Sequence, residues 1–229
     1  MSIADRPATS KRQTIADDVF DYLRNEIISL NLEPGTHLSE AEVAKKFDVS
    51  RQPVREAFQR LGDLDLLLIR PQKATLVKKI SLAEIAHTRF IRSAVEVEIV
   101  RVASQIGSEK SIEALFDSLT LQEQARVDQD PVELRLLDYD FHRLICEAAK
   151  QPNAFTVLSD FKAHTDRICR IELADEEGMA ETIAGHTRIV EAIAARDPIA
   201  GAETARQHLS HLDSTLQSAQ EKFPQYFEL

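Results

Sequence analysis

The stretch Val49-Ser50-Arg51-Gln52-Pro53-Val54-Arg55-Glu56-Ala57-Phe58-Gln59-Arg60-Leu61 decides how this chain is read. Ser50 is a good helix N-cap, because its side-chain oxygen can satisfy one of the first unpaired backbone N–H groups. Behind it Val54, Ala57, Phe58 and Leu61 recur at three- and four-residue spacing, which makes one apolar stripe of an α-helix. Arg51, Gln52, Arg55 and Gln59 then fall on the opposite face, within a single major-groove footprint. An arginine offers a planar fork matching guanine O6 and N7, and a glutamine can pair with adenine N6 and N7. A solvated face kept for solubility is the competing account of the same pattern.

Towards the N-terminus, Ser39-Glu40-Ala41-Glu42 reads as a capping box that opens a second helix with Val43, Ala44 and Phe47 on its core side. Asp48-Val49 is the tight turn between the two helices. An earlier helix starts at Ile15, carries Val19, Phe20, Leu23, Ile27 and Ile28 at helical spacing, and stops before Glu33-Pro34-Gly35. Residues 1–14, small, polar and charged, read as a flexible arm. Towards the C-terminus, the β-type runs Leu67–Arg70 and Thr75–Lys79 are joined by Pro71-Gln72-Lys73-Ala74 and read as a hairpin. Three helices and a hairpin, with a short turn between the second and third helices, give a winged helix-turn-helix domain over 15–80.

Beyond Ile80 the strand signals stop. Ser81-Leu82-Ala83-Glu84 opens a long helix to about Ile106, and Ser108 caps the next. Pro131, Pro152 and Pro198 stand where first-turn prolines belong, with Asp130 and Asp197 at N-cap positions before two of them. The expectation is a mostly α chain: the winged domain, then an all-helical bundle of about six helices over 81–229.

Composition sets the outer limits. The 229 residues are 43% hydrophobic, an ordinary globular content. No apolar run approaches the roughly 20 residues of a membrane helix, and the first residues lack the apolar core of a signal peptide. A cytoplasmic chain is expected. Cys146 and Cys169 make no metal-type spacing and read as buried thiols. The net charge of −10 argues at first against nucleic acid, but it is unevenly placed. Residues 1–80 carry +1, residues 81–229 carry −11, and 51–79 alone carry +4. A small basic surface on an acidic chain suits a reader of specific DNA that avoids other polyanions.

In the helical half, Asp138 and His142 lie four residues apart, on one helix face beside Leu134, Leu137, Phe141 and Ile145. His186 accompanies Ile183, Ile189, Val190 and Ile193, and His208 accompanies Ala205, Leu209 and Leu212. One carboxylate and three imidazoles converging inside a bundle would suit Zn, Ni, Mn or Fe. Taken singly, each histidine reads as a satisfied core residue. His37, His87, His164 and His211 stay with that plainer reading, and Asp140 points away from Asp138. Arg89 and Arg92 share a helix and could anchor an acid, although Glu96 is placed to pair with Arg92. Arg167 and Arg170 are further candidates.

Leu38-Ser39-Glu40, Val43-Ala44 and above all Val49–Ala57 resemble the GntR family of bacterial regulators, across the whole of 15–80. The resemblance implies Arg51 and Arg55 in the major groove and Lys73 at the wing tip. Three departures, Gln52 for threonine, Leu66 for a glycine and Ala74 for the wing glycine, imply an altered operator preference. Arg92-Ser93-Ala94-Val95-Glu96, Asp138-Tyr139-Asp140-Phe141-His142, Gly185-His186 and His208-Leu209 resemble the FCD effector domain of FadR-like regulators over roughly 84–220. That implies a metal held by Asp138, His142, His186 and His208. It also implies a carboxylate effector (a sugar acid or a di- or hydroxycarboxylate) near Arg92, and a homodimeric repressor on a double-stranded DNA operator. Three alternatives remain: a metal-dependent enzyme acting on a small acid, a metal-free acyl-CoA-type sensor, and an architectural DNA-binding protein. The paired Glu-x-x-His pattern of a di-iron bundle is met only by Glu84-Ile85-Ala86-His87 and so fails.

Overall fold

A computed structural model describes residues 14–70, 73–172, 176–210 and 212–228, without the side chains of 160, 163, 164, 169, 171, 172 and 212–214. The expected arm (save Thr14), the Pro71-Gln72 half of the hairpin turn, His211 and the side chains of His164 and Cys169 lie outside the described residues. The chain forms two compact units, one of the stretch up to Ile27 with Asn31–Lys78, the other of Ile28–Leu30 with Lys79–Leu229.

The first unit runs α1 (Ile15–Ile28), β1 (His37–Leu38), α2 (Glu40–Phe47), α3 (Arg51–Asp63), β2 (Leu67–Leu68) and β3 (Thr75–Val77). The stripe that predicted α3 is its buried face: Val54, Ala57, Phe58 and Leu61 are at most 2% exposed. Full burial of such a side chain contributes about 1.5–3 kcal/mol relative to exposure, enough to set the helix orientation. Ser39 and Ser50 occupy the N-cap positions with extended backbones, but neither side chain makes the capping hydrogen bond. The expected box at Ser39 is therefore absent. The turn between α2 and α3 is closed by Asp48, left-handed at φ 54°, and by Val49 N–H donating to the Ala44 carbonyl at 3.0 Å.

The wing is an antiparallel sheet ordered β1-β3-β2, with Leu67 opposite Val77 and His37 opposite Leu76. Sequence reading found β2 and β3, at greater length, and missed β1, which has only two residues and no visible alternation. The departures at the wing corner also find a reason. The left-handed position there is Asp65, at φ 57°, so the next position does not need a glycine and Leu66 is fully buried instead.

The second unit is helical: α4 (Leu82–Ile106), α5 (Glu109–Val127), α6 (Pro131–Ala148), α7 (Pro152–Glu172), α8 (Glu176–Ala194), α9 (Pro198–Ser210), α10 (Leu212–Lys222) and a short 3-10 turn at Pro224–Tyr226. Among the described residues seven helices stand where about six were expected, the last stretch forming α9 and α10. Here the caps are made. Ser108 Oγ accepts from Ser111 N–H at 3.1 Å, and Asp130 Oδ1 accepts from Val132 and Glu133 N–H at 3.0 and 2.9 Å. The core gathers Val100, Leu115, Phe141, Ile145 and Val190, all at most 3% exposed. α4 and α9 approach closely at Gly201, where a Cβ would lie 2.6 Å from Ser104 Oγ. Ile80 closes the unit through a parallel bridge to Phe227: its N–H donates to the Tyr226 carbonyl at 2.8 Å, and its own carbonyl accepts from Glu228 N–H at 2.9 Å. Among the described residues no helix is long and apolar enough to cross a membrane.

Candidate functional site

On the first unit, Arg51, Gln52, Arg55 and Gln59 are exposed along α3, and Lys73 is exposed beyond β2. Arg55 donates Nε–H to Glu40 Oε2 of α2 at 2.9 Å and keeps its side chain 59% exposed. The ion pair engages the Nε edge of the guanidinium. Gln59 Nε2 donates to Asp63 Oδ1 at 3.1 Å, which fixes its amide along the helix. Such a surface presents a forked cation and an oriented amide to a base edge.

In the second unit α6, α8 and α9 bring His142, His186 and His208 together, with one ring nitrogen from each within 4.8 Å of the others. Asp138 Oδ1 lies 3.6 Å from His142 Nε2 and 3.4 Å from His186 Nε2. Both Nε2 atoms are buried and have no hydrogen-bond partner. Leaving such an atom unsatisfied costs about 1–3 kcal/mol. The far side of each ring explains the arrangement. His142 Nδ1–H donates to Glu96 Oε2 at 3.0 Å, and His186 Nδ1–H donates to Gln122 Oε1 at 2.7 Å. Gln122 is itself oriented by Nε2–H donating to Ser118 Oγ at 3.2 Å. These partners fix the tautomer and leave the Nε2 lone pairs bare towards the shared centre. Phe141 stacks on His186 with ring centroids 4.0 Å apart. A Cβ on Gly185 would lie 2.7 Å from His208 Nδ1, so the glycine makes room for that ring.

Electrostatics separate the three histidines. Burial opposes charge on His142, but Glu96 and Asp138 outweigh it and raise its pKa above the ordinary imidazole value. Burial holds His186 below that value, and holds His208 well below it with help from the other two rings. Burial alone would raise Asp138, yet Lys162 and the two imidazoles keep it well below the usual carboxylate range. Bare Nε2 atoms on two imidazoles beside an ionised carboxylate are the donor set of a first-row divalent ion. The residues present fit such an ion.

A cavity of about 340 Å³ opens over this centre, with Arg92, Asp138, His142 and Lys162 buried at its inner end. Arg92 donates Nε–H to Glu96 Oε1 at 2.6 Å and Nη1–H to Thr165 Oγ1 at 3.0 Å. Lys162 Nζ donates to Asp138 Oδ2 at 2.6 Å and lies 3.3 Å from Asp166 Oδ1. Glu96 thus joins the arginine of the cavity to a histidine of the centre through its two oxygens.

Comparison with known proteins places these two surfaces on two family domains. The family described as bacterial regulatory proteins, gntR family, matches residues 15–77, and the FCD domain matches residues 88–211. The chain belongs to the GntR family. An HTH-type transcriptional repressor, RspR of Escherichia coli K12, is 31% identical over 94% of each chain. A probable D-xylose utilization operon transcriptional repressor of Paenarthrobacter nicotinovorans is 28% identical over 89% of each. The solved structure of E. coli McbR/YncC has a TM-score of 0.75 at 18% identity, covering 90% of this chain and 98% of its own. At that identity the likeness shows the fold alone. Family and relatives make this chain a DNA-binding transcriptional regulator and not an enzyme.

Of the residues singled out in the sequence, this GntR regulator brings Asp138, His142, His186 and His208 to one point and puts Arg89 and Arg92 on the cavity wall. Arg167 is buried at 2% exposure but does not line the cavity. The Arg92–Glu96 pair foreseen as an alternative to ligand binding exists, and Arg92 faces the cavity nonetheless. Sequence reading missed Lys162, Asp166 and Gln122. The signal was a polar residue in register with an apolar stripe: Gln122 seven residues after Leu115, and Lys162 four after Leu158.

Proposed function

We propose that this regulator is a homodimeric repressor whose affinity for a pseudo-palindromic double-stranded operator is set by a small carboxylate bound beside a divalent transition ion. Arg51, Gln52, Arg55 and Gln59 are the major-groove readers and Lys73 the wing contact, each supported by exposure on the expected face. Asp138, His142, His186 and His208 hold the ion, which is Zn, Ni, Mn or Fe. The observation that carries this reading is the pair of buried, unpartnered Nε2 atoms aimed at one carboxylate oxygen.

When bound, the ion supplies open coordination positions for a carboxylate oxygen. The chain's own residues do the rest. At the inner end Arg92 pairs with Glu96, and Lys162 with Asp138 and Asp166. Arg92, held by Glu96 and Thr165, faces the cavity that would take the acid, and Arg89 stands on the same wall. The cavity sits at the small end of the range for ligand pockets, which favours a sugar acid or a di- or hydroxycarboxylate over an acyl-CoA. Ligand control requires the acid to bind the DNA-free and DNA-competent states unequally.

Elemental analysis of purified wild type beside His186→Ala tests the reading. About one transition ion per chain, lost in the variant, is expected. Arg92→Ala is then expected to abolish the effect of added acid on operator affinity while leaving DNA binding intact. Absence of metal from both proteins, with added ions failing to bind, would overturn the metal-centred reading.

A further inference from the structure

The cavity has two ends of different character. Its inner end is buried and ionically complete, with each of Arg92 and Lys162 tied to a carboxylate. Its rim carries three more arginines, Arg135, Arg188 and Arg206. Arg188 pairs with Glu181 at 3.3 Å and Arg206 with Glu203 at 3.4 Å. Arg135 is different. It is half-buried on α6, lines the cavity, and has no hydrogen bond or ion pair among the described residues. The contrast within the same helix is plain, since Arg143 is claimed by both Asp140 and Glu147.

Arg135 stands three residues before Asp138, so the two share a helix face and are separated by about 4.5 Å of axial rise. A half-buried guanidinium on the cavity wall, three residues from the buried carboxylate of the centre, is placed to meet the far end of a short ligand whose near end lies at the centre. Its planar fork matches a carboxylate or phosphate bidentately. Inside a concave wall the attraction exceeds that of an open surface, because less water screens it. We propose that Arg135 reads a second anionic group on the effector, so that the cavity selects dianionic acids over monoanionic ones of similar size. This rests on the acid-sensing reading above and narrows it to a ligand class and a selecting residue.

Calorimetric titration of the full chain, as purified and after zinc loading, tests the proposal with succinate, glutarate, phosphoglycolate and monoanionic butyrate as probes. In wild type the acids with two anionic groups are expected to bind at least about tenfold more tightly than butyrate, the scale of a charge-assisted hydrogen-bond pair. Arg135→Gln is expected to remove that preference and leave butyrate affinity within about twofold, and Arg135→Lys to restore part of it, since the point charge returns without the fork. Preference for phosphoglycolate or for the dicarboxylates identifies which anion the rim receives. If succinate, glutarate, phosphoglycolate and butyrate bind alike in wild type, or if Arg135→Gln weakens all of them equally, the proposal is overturned while the acid-sensing reading stands. Failure of every acid to bind overturns both. Circular dichroism of the variants checks that α6 is intact.

Discussion

Among the described residues, the buried polar and charged side chains all belong to the helical unit, from Thr88 to Thr215, and the winged unit has none. The winged unit keeps an apolar core and carries its chemistry outward on α3 and the wing. The helical unit does the reverse, enclosing Arg92, Glu96, Asp138, His142, Lys162 and His186 between its helices. On the proposed function, the difference follows from what each recognises. A duplex is too large to be enclosed, so its reader must be a surface. A small acid binds best where water is excluded and each fixed charge counts for more. One consequence is that function and stability are separable in the first unit and entangled in the second, because an incompletely satisfied buried network destabilises the fold that contains it.

The largest effect that would sharpen this contrast belongs to Arg55→Ala. Each half-site is expected to lose about 1–3 kcal/mol of discrimination, which abolishes preference for operator over random DNA. The melting temperature and metal content should stay close to wild type. Anisotropy titrations on both DNAs, with a thermal melt, measure it; a large fall in melting temperature would break the separation. Next comes Gln122→Ala, which removes the acceptor that holds the His186 tautomer. Metal affinity is expected to fall about 10–100-fold and thermal stability to fall with it, as read by chelator competition and calorimetry. Gln122→Glu, which restores the acceptor, should recover most of the metal affinity. Unchanged affinity in the alanine variant would reduce Gln122 to core packing.

The smallest effect lies in the winged unit. Asp17 accepts from Thr14 N–H at 2.9 Å and Thr14 Oγ1 at 2.8 Å, and pairs with Arg60, which together lower its pKa to about 2. A carboxyl lowered by folding adds stability that is complete above its ordinary value of 3.8 and is lost as pH falls through about 2. Asp17→Asn should therefore melt slightly below wild type at neutral pH, and the gap should close between pH 4 and 2. A gap that does not change with pH would exclude the charged interaction as its source.

The fold was legible wherever local physics decides. Asp130 before Pro131 is both the sequence signal and the observed cap of α6, and the stripe from Val54 to Leu61 is the face that α3 buries. β1 was hidden because a two-residue strand has no period, and only pairing with β3 makes His37–Leu38 a strand. In the candidate site, Asp138 and His142 were legible because a four-residue spacing on one helix already implies one face. Lys162 was not, since a lysine on a long helix ordinarily faces water. Only the packing of α7 beside α6 turns it towards Asp138. The roles of Gln122 and Arg135 likewise depend on what stands across from them, which spacing along one helix does not encode.

The bridge between Ile80 and Phe227 joins the residue at which the chain enters the helical unit to the last turn of that unit. Entry and exit thus lie side by side, the arrangement that makes a domain tolerant of insertion and circular permutation. Tyr226, Phe227 and Glu228 act as the clasp of the unit, so substitutions that break their pairing with Ile80 loosen both ends of it at once.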